Sequence, residues 1–203
     1  MNGQLDRRQR RTRAALHAAL ERLVDRTPYH TLNVSLVADA ADIGRPTFYR
    51  HFDDVHGLLI DRLLGDLDDQ LALARRLAAE GMVAEELLTA VTLFALDLIA
   101  AHPRLYRPLL DGSAGANAVT LFRDQIAQLV AILPGTPEAP EGGAASLQIG
   151  TVAGAISGFL LTWIEGGMQP APGEATAQMV RMIGPLMTGD AAAPRAQAGS
   201  RSV

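Results

Sequence analysis

Apolar residues recur along most of the chain at every third or fourth position, which is the spacing of an α-helix with one buried face. The first clear example spans residues 8–25, where arginine and glutamate occupy the opposite face. Its apolar face consists of Leu16, Ala19, Leu20, Leu23 and Val24. No stretch alternates apolar and polar residues as a strand does. The pattern therefore predicts an all-α protein.

Breaks in this pattern separate the further helices. Asn33 can cap a short second helix, and Arg45-Pro46 can begin a third because proline is tolerated in a first turn. Asp53 or Asp54 can cap a long fourth helix. The fourth and later helices are expected over residues 55–80, 83–101, 103–110, 116–133, 144–165 and 174–187. Residues 134–143, with three prolines and three glycines, are expected to form a flexible connection, and residues 189–203 a disordered tail.

Charge is distributed unevenly between the two ends of the chain. Residues 1–65 carry ten arginines against eight acidic residues, whereas the remainder carries eight against fourteen, so the head is net +2 and the body −6. Five of the arginines lie within the first thirteen residues. A basic head on an acidic body is typical of a segment that meets a polyanion. A solvated, disordered basic start explains the same residues equally well.

The composition excludes several chemistries. The chain has no cysteine, and all 18 of its basic residues are arginine, so it offers no thiol and no lysine nucleophile. His51 and His56 flank Asp53 and Asp54, but the predicted start of the fourth helix separates the two histidines. No zinc-protease, nucleophile-elbow or dinucleotide-binding motif is present in the sequence. We expect no enzyme, no metal site and no cofactor.

One apolar run raises the question of a membrane. Residues 142–164 carry no charge, and Gly150, Gly154 and Gly158 form two overlapping G-x-x-x-G units, a pattern of associating transmembrane helices. Only about sixteen of these residues are strongly apolar, fewer than the roughly 20 that a membrane span needs. No signal peptide is expected, since the basic start leads into an amphipathic stretch. The run is therefore predicted to be a closely packed helix of a soluble, cytoplasmic protein.

Residues 33–52 combine a short helix, a tight turn at Asp42-Ile43-Gly44 and a second short helix. Together with the preceding amphipathic helix this is the pattern of a helix-turn-helix module. Phe48 and Phe52 are four residues apart and are predicted to face inward. The opposite face would then present Arg45, Thr47, Tyr49, Arg50 and His51, which can donate to phosphates and base edges. The competing interpretation is that Tyr49 and His51 are packing residues and Arg50 a solvated charge.

At these residues the sequence resembles the TetR/AcrR family of bacterial transcriptional regulators. The resemblance covers about residues 11–63 and is carried by the 42–44 turn, the run from Pro46 to Phe52 and Leu58-Leu59. Trp163 and the four residues after it resemble the family more loosely. The resemblance implies about nine helices, a homodimer, a ligand cavity in the C-terminal domain, binding to double-stranded operator DNA, and repression relieved by a small-molecule effector of unknown identity.

The resemblance also implies residue roles. Residues matching Thr47, Tyr49 and His51 contact phosphates in the family, and those matching Gly44, Arg45 and Pro46 begin the recognition helix. The full set of predicted DNA-binding residues is Arg13, Asn33, Ser35, Gly44, Arg45, Pro46, Thr47, Tyr49, Arg50 and His51. Three positions depart from the family: Asp42 replaces the usual turn glycine, Gly44 the usual polar cap, and Val55 a frequent lysine.

The expected organisation is a DNA-binding domain over residues 1–53, with a flexible basic arm at 1–10, and a helical effector-binding and dimerisation domain over 54–188. Predicted ligand-binding residues are Phe94, Asp97, His102, Tyr106, Phe122, Gln125, Phe159 and Trp163. Core packing or a helix cap is the competing interpretation for each of them. Trp163 could also lie in the dimer interface.

The last two long helices are the predicted dimer surface, because small residues permit close backbone approach and methionine and leucine form a second apolar stripe. The predicted interface residues are Gly150, Gly154, Gly158, Leu161, Met179, Met182, Ile183 and Leu186. Packing of both stripes inside one subunit is the alternative. The alternative function is a helical module that binds small molecules or proteins, with a degenerate helix-turn-helix that does not act through DNA.

Overall fold

The computed structural model describes residues 2–133 and 143–188, with side chains over 7–133 and 147–186, and every regular element in these ranges is helical. This confirms the predicted all-α class. The helices are α1 (Asn2–Val24), α2 (Val34–Ala40), α3 (Arg45–Tyr49), α4 (Val55–Ala79), α5 (Ala84–Ala101), α6 (Pro103–Leu110), α7 (Ala116–Ile132), α8 (Gly143–Glu165) and α9 (Pro172–Thr188). A 3₁₀ turn at Tyr29–Thr31 lies between α1 and α2.

Two helices begin at least two residues earlier than predicted. Residues 2–10, expected to be a flexible arm, belong to α1, because glutamine, leucine and arginine favour a helix and no proline interrupts them. Helix α9 begins at Pro172 instead of residue 174, since proline needs no N–H partner in a first turn. The predicted flexible connection up to residue 142 and the predicted tail at 189–203 lie outside the described residues.

Helices α1, α2 and α3 pack into a small N-terminal unit around side chains that are fully buried. Leu16, Leu20, Val37 and Phe48 form its centre. The first turns of α4 close this unit with Val55, Leu58 and Leu59. The C-terminal half of α4 packs instead against α5 and α7, so that α4 belongs to both parts of the core.

The predicted caps are confirmed. The Asn33 side chain accepts a hydrogen bond from the Leu36 N–H at 3.0 Å, and Asp54 accepts from the Gly57 N–H at 2.7 Å. Both residues satisfy backbone donors that a helix leaves free at its start. They fix where α2 and α4 begin, and hence the positions of the elements around α3.

Helix α8 is long and apolar enough over Leu147–Glu165 to cross a membrane by length and composition, and 28% of that stretch is buried in the chain. Its neighbours α6, α7 and α9 cover one side. The glycine-rich side, with Gly154 and Gly158, is exposed. The helix therefore has one packed face and one open face.

Candidate nucleic-acid interface and effector cavity

A tight turn joins α2 to α3 and sets their crossing. Asp42 adopts the left-handed conformation at φ 54°, and the Ile43 N–H donates to the Ala38 carbonyl at 2.9 Å. Aspartate tolerates this conformation better than most residues other than glycine and asparagine, so the turn forms without the glycine usual at this position. Gly44 is the N-cap of α3 and offers no side-chain hydrogen bond.

Helix α3 separates its apolar and polar side chains as the sequence predicted. Phe48 is 0% and Phe52 8% exposed, and their rings lie 6.0 Å apart in the N-terminal core. Tyr49 is 51% exposed and Arg50 is also exposed. The Arg50 guanidinium donates to the Thr47 hydroxyl at 2.9 Å. The outward face thus carries a phenol and a partly oriented arginine.

The other predicted DNA-binding residues surround this face or cap its helices. Gly44, Arg45 and Pro46 are exposed at the start of α3, and Asn33 and Ser35 begin α2, where the Asn33 carbonyl oxygen is engaged in capping. The remaining members, Arg13 and His51, meet at Phe52.

Arg13 of α1 crosses onto this surface. Its guanidinium lies over the Phe52 ring, 5.3 Å from the centroid, and pairs with Asp61 of α4. His17 also contacts Asp61, at 2.8 Å. Partial burial, with the positive charges of Arg13 and Arg50 nearby, lowers the pKa of His51 below its ordinary value. His51 is therefore uncharged at neutral pH and becomes a cation more readily beside an added negative charge.

A chain of polar contacts, which the sequence analysis did not predict, links the N-terminal unit to the helical body. Arg62 of α4 pairs with Glu21 of α1 and, at 2.7 Å, with Asp66 one turn further along α4. The Tyr106 hydroxyl of α6 donates to the other oxygen of Asp66. Burial and then the Asp66 carboxylate raise the pKa of Tyr106 far above its ordinary value, so it remains a donor.

The helical body encloses an apolar cavity of about 90 Å³ between α4, α5, α6, α7, α8 and α9. Leucine, isoleucine and valine form most of its wall, and Asp66 and Tyr106 belong to its few polar groups. Gln70 donates to the Val91 carbonyl at 3.0 Å, and Gln125 to the Leu67 carbonyl at 2.8 Å. Both amides are held in place and leave their side-chain oxygens as acceptors.

The predicted ligand-binding residues divide into two groups. Tyr106, Phe122 and Gln125 line the cavity. The other five lie outside its lining: Asp97 is exposed, Phe94 and Phe159 are half-buried, His102 caps the end of α5, and Trp163 is buried with its indole N–H donating to the Pro170 carbonyl at 2.7 Å. These five side chains do not line this cavity, because an apolar helix pattern does not indicate which neighbour each side faces. Their role in ligand binding stays a prediction.

The predicted dimer residues divide in the same way. Met179 and Ile183 are buried and line the cavity of their own subunit, so they face the core and not the open side of α9. Met182 is 66% exposed, and Gly154 and Gly158 are open to solvent. Gly150, Leu161 and Leu186 are partly exposed. Helix α9 is apolar on both faces, which is why its spacing did not identify the inner one.

Among the described residues, no group of three or more histidine, aspartate or glutamate side chains is arranged to hold a metal ion.

An N-terminal helix-turn-helix with a polar, aromatic outward face, joined to a helical body with an internal cavity, is an arrangement typical of DNA-binding transcriptional regulators. The family model described as "Bacterial regulatory proteins, tetR family" matches residues 16–60, which include α2, the turn and α3. Residues 16–60 are therefore similar to the tetR family of bacterial regulatory proteins, in agreement with the resemblance found in the sequence.

Solved structures share the fold over most of the chain. The fatty acid degradation regulator FadR from Bacillus halodurans is 16% identical, with a TM-score of 0.65 over 88% of this chain and 95% of its own. FadR from Bacillus subtilis, in complex with stearoyl-CoA, is 19% identical, with a TM-score of 0.63 over 87% and 98%. The repressor FadR of Thermus thermophilus, in complex with lauroyl-CoA, is 18% identical, with a TM-score of 0.63 over 93% and 100%. No curated protein sequence matches the chain.

Proposed function

We propose that this regulator is a repressor that binds double-stranded operator DNA as a homodimer and is released when a small-molecule effector enters the cavity. The observation that carries the proposal is the outward face of α3, where Tyr49 and Arg50 are exposed while Phe48 is fully buried. In this proposal residues 1–53 are the DNA-binding domain and residues 54–188 bind the effector and dimerise. The protein acts in the cytoplasm and is not an enzyme.

The recognition helix would enter the major groove with Arg45, Pro46 and Arg50 near base edges. Thr47, Tyr49 and His51 would contact phosphates, as the family resemblance implies, and Arg13 would add a phosphate contact beside Phe52. Five arginines in the first thirteen residues extend this basic surface along α1. Such contacts fix the protein on the duplex, whereas the base-facing residues supply specificity.

A second copy would supply the second half-site. The open face of α8 supports this, since Gly154 and Gly158 have no atoms within 4 Å of where a side chain would begin. Met182 extends this apolar surface from α9. Two such faces would form a four-helix interface and cover the stretch that is otherwise apolar enough to span a membrane.

The effector would be a molecule with an apolar body, because the cavity wall is made mainly of aliphatic side chains. FadR of Bacillus subtilis and FadR of Thermus thermophilus were solved with stearoyl-CoA and lauroyl-CoA, which are ligands with long apolar chains. The cavity here is small, so a ligand of that length must push its walls apart. The displaced walls would include α4 and α6.

Release would follow from linkage between the two sites. Tyr106 and Asp66 line the cavity, and Asp66 is joined through Arg62 to Glu21 of the DNA-binding domain. A ligand that binds best when the two recognition helices have a different spacing must weaken DNA binding. DNA then weakens ligand binding by the same factor. A coupling of about 1–3 kcal/mol is enough for a roughly tenfold change.

The proposal is tested by a gel-shift titration with the DNA that flanks the gene of this protein. Arg50→Ala should weaken binding by about tenfold or more, as expected for loss of a contact worth roughly 1–3 kcal/mol. Arg75→Ala, which removes an exposed arginine from the far half of α4, is the matched control and should bind as the wild type does. Equal affinity of the Arg50 and Arg75 variants, or no specific complex at all, would favour the alternative of a helical binding module that does not act through DNA.

A further inference from the structure

A second space lies at the junction of the N-terminal unit and the helical body, on the other side of α6 from the apolar cavity. It is a groove of about 540 Å³ between the α1–α2 connection and α6. Arg26, His30 and their neighbours form one wall, and Arg104 and Arg107 form the other. The groove therefore has cationic side chains on both sides.

The charges in this groove do not cancel. Asp111 is the one carboxylate among the residues that line it, and it accepts the Ser113 N–H and pairs with Arg107 at 3.6 Å. Arg107 also pairs with Glu165 at 3.0 Å, so it is engaged by two carboxylates, and these three groups carry a net charge of −1. Arg26 and Arg104 add two positive charges, which leaves the five groups with a net charge of +1.

Both arginines have guanidinium N–H groups that are available to a ligand. Arg104 donates through one nitrogen to the Asp25 carbonyl, which orients its guanidinium without neutralising it. The Arg26 side chain makes no hydrogen bond or ion pair with any residue in the described part of the chain. A guanidinium carries five N–H donors arranged in a fork that matches phosphoryl oxygens.

Helix α6 connects the groove to the apolar cavity. Its residues Tyr106, Leu109 and Leu110 line the cavity, whereas Arg104 and Arg107 line the groove. A ligand in either space therefore bears on the same two-turn helix. The two walls of the groove also belong to different parts of the fold, so a bound molecule would bridge them.

We propose that this groove binds a small phosphorylated ligand, with Arg26 and Arg104 holding its phosphoryl groups from opposite walls. The ligand would fix the α1–α2 connection against α6. The site is separate from the apolar cavity and from the outward face of α3, and its existence does not depend on the proposed repressor function.

The test is isothermal titration calorimetry of the full-length protein, without DNA, using inorganic pyrophosphate as the probe and ADP as a second probe. Saturable binding is expected at about one site per chain. The double variant Arg26→Gln/Arg104→Gln should bind pyrophosphate about tenfold more weakly, because it loses charge-assisted hydrogen bonds from both walls. Tighter binding of ADP than of pyrophosphate would identify a nucleotide as the source of the phosphoryl group, and equal binding a free anion.

Two control variants distinguish binding in the groove from nonspecific attraction of the anion to positive charge elsewhere on the protein. Arg75→Gln/Arg123→Gln removes the same charge from exposed positions outside the groove and should leave the affinity within about twofold, as for distant surface charges. Arg26→Gln alone keeps the Arg104–Asp25 contact, so it reports on the site even if the double variant folds poorly.

The double variant Arg7→Gln/Arg11→Gln tests whether the anion binds at the basic start of α1 instead of in the groove. Loss of pyrophosphate binding in that variant, equal loss in the Arg75/Arg123 control, or no saturable binding to the wild type would each overturn the proposal. A gel-shift titration of the same variants keeps this outcome distinct from a failure of DNA binding.

Discussion

The contact between Tyr106 and Asp66 joins α6 to α4, and its removal gives a direct measure of how firmly the cavity wall is attached. In Tyr106→Phe the ring stays and only the buried hydroxyl is lost. A hydrogen bond to a charged group contributes about 1.5–3 kcal/mol. Because Asp66 keeps its pairing with Arg62, we expect a loss of about 2 kcal/mol in the free energy of unfolding, within that range.

This loss is measurable by thermal and urea denaturation. For a protein of this size, about 2 kcal/mol corresponds to a fall of roughly 4–8 °C in Tm. Protein concentration must be held constant, since a dimer unfolds at a concentration-dependent temperature. Tyr49→Phe removes an exposed hydroxyl and is the matched control, with an expected change within about 0.5 kcal/mol.

A double-mutant cycle then tests whether the contacts act as one unit. Arg62→Met leaves Asp66 and Glu21 without their common partner and should cost about 2–3 kcal/mol, less than the roughly 3–5 kcal/mol of a fully buried pair. The double variant with Tyr106→Phe should lose less than the two single losses combined, by at least about 0.5 kcal/mol. A Tyr106→Phe protein as stable as the wild type, or strictly additive losses, would refute the reasoning.

Three further outcomes follow from other features of the structure. The pKa of His51 is lowered in the free protein, and a DNA phosphate beside it would raise that pKa. DNA affinity, measured by fluorescence anisotropy, should therefore increase as the pH falls toward and below about 6.5. His51→Gln should show a flatter pH profile. Gly154→Leu should yield a monomer in light scattering because the new side chain blocks close approach of a second α8, whereas Gly65→Leu, at an equally open helical glycine, should not change the mass. Asp42→Val should lower the free energy of unfolding, measured by urea denaturation, by about 1–2 kcal/mol because a β-branched residue is strained at φ 54°. Asp42→Gly is the control and should stay within about 0.5 kcal/mol of the wild type. An Asp42→Val protein as stable as the wild type would contradict the argument.

Local features of the fold could be predicted from the sequence because local interactions determine them. Asn33 and Asp54 cap helices through hydrogen bonds that span three residues, and Asp42-Ile43-Gly44 forms its turn within the same short range. The spacing of Phe48 and Phe52 identified the inner face of α3 because the opposite face is polar. The helix-turn-helix was therefore predictable residue by residue.

The cavity and the interdomain contacts could not be predicted in the same way. Residues far apart in the chain form them: Arg62 meets Glu21 across 41 positions, and Tyr106 meets Asp66 across 40. When the sequence of each helix is considered alone, Glu21 and Arg62 are indistinguishable from solvent-exposed charged residues. Met179 and Ile183 were predicted to lie in the dimer interface, whereas the packing of α9 against α5 places them in the core. The sequence could not show this because both sides of α9 carry apolar residues.

The indole of Trp163, bonded to the Pro170 carbonyl, has a practical consequence for spectroscopy. It is the one tryptophan of the chain, and it is buried where α8 turns toward α9. Its fluorescence therefore reports on the α8–α9 connection alone and does not report on the part of the molecule that would contact DNA. Unfolding followed by fluorescence and by circular dichroism should diverge whenever the two ends of the molecule melt separately, without any label being introduced.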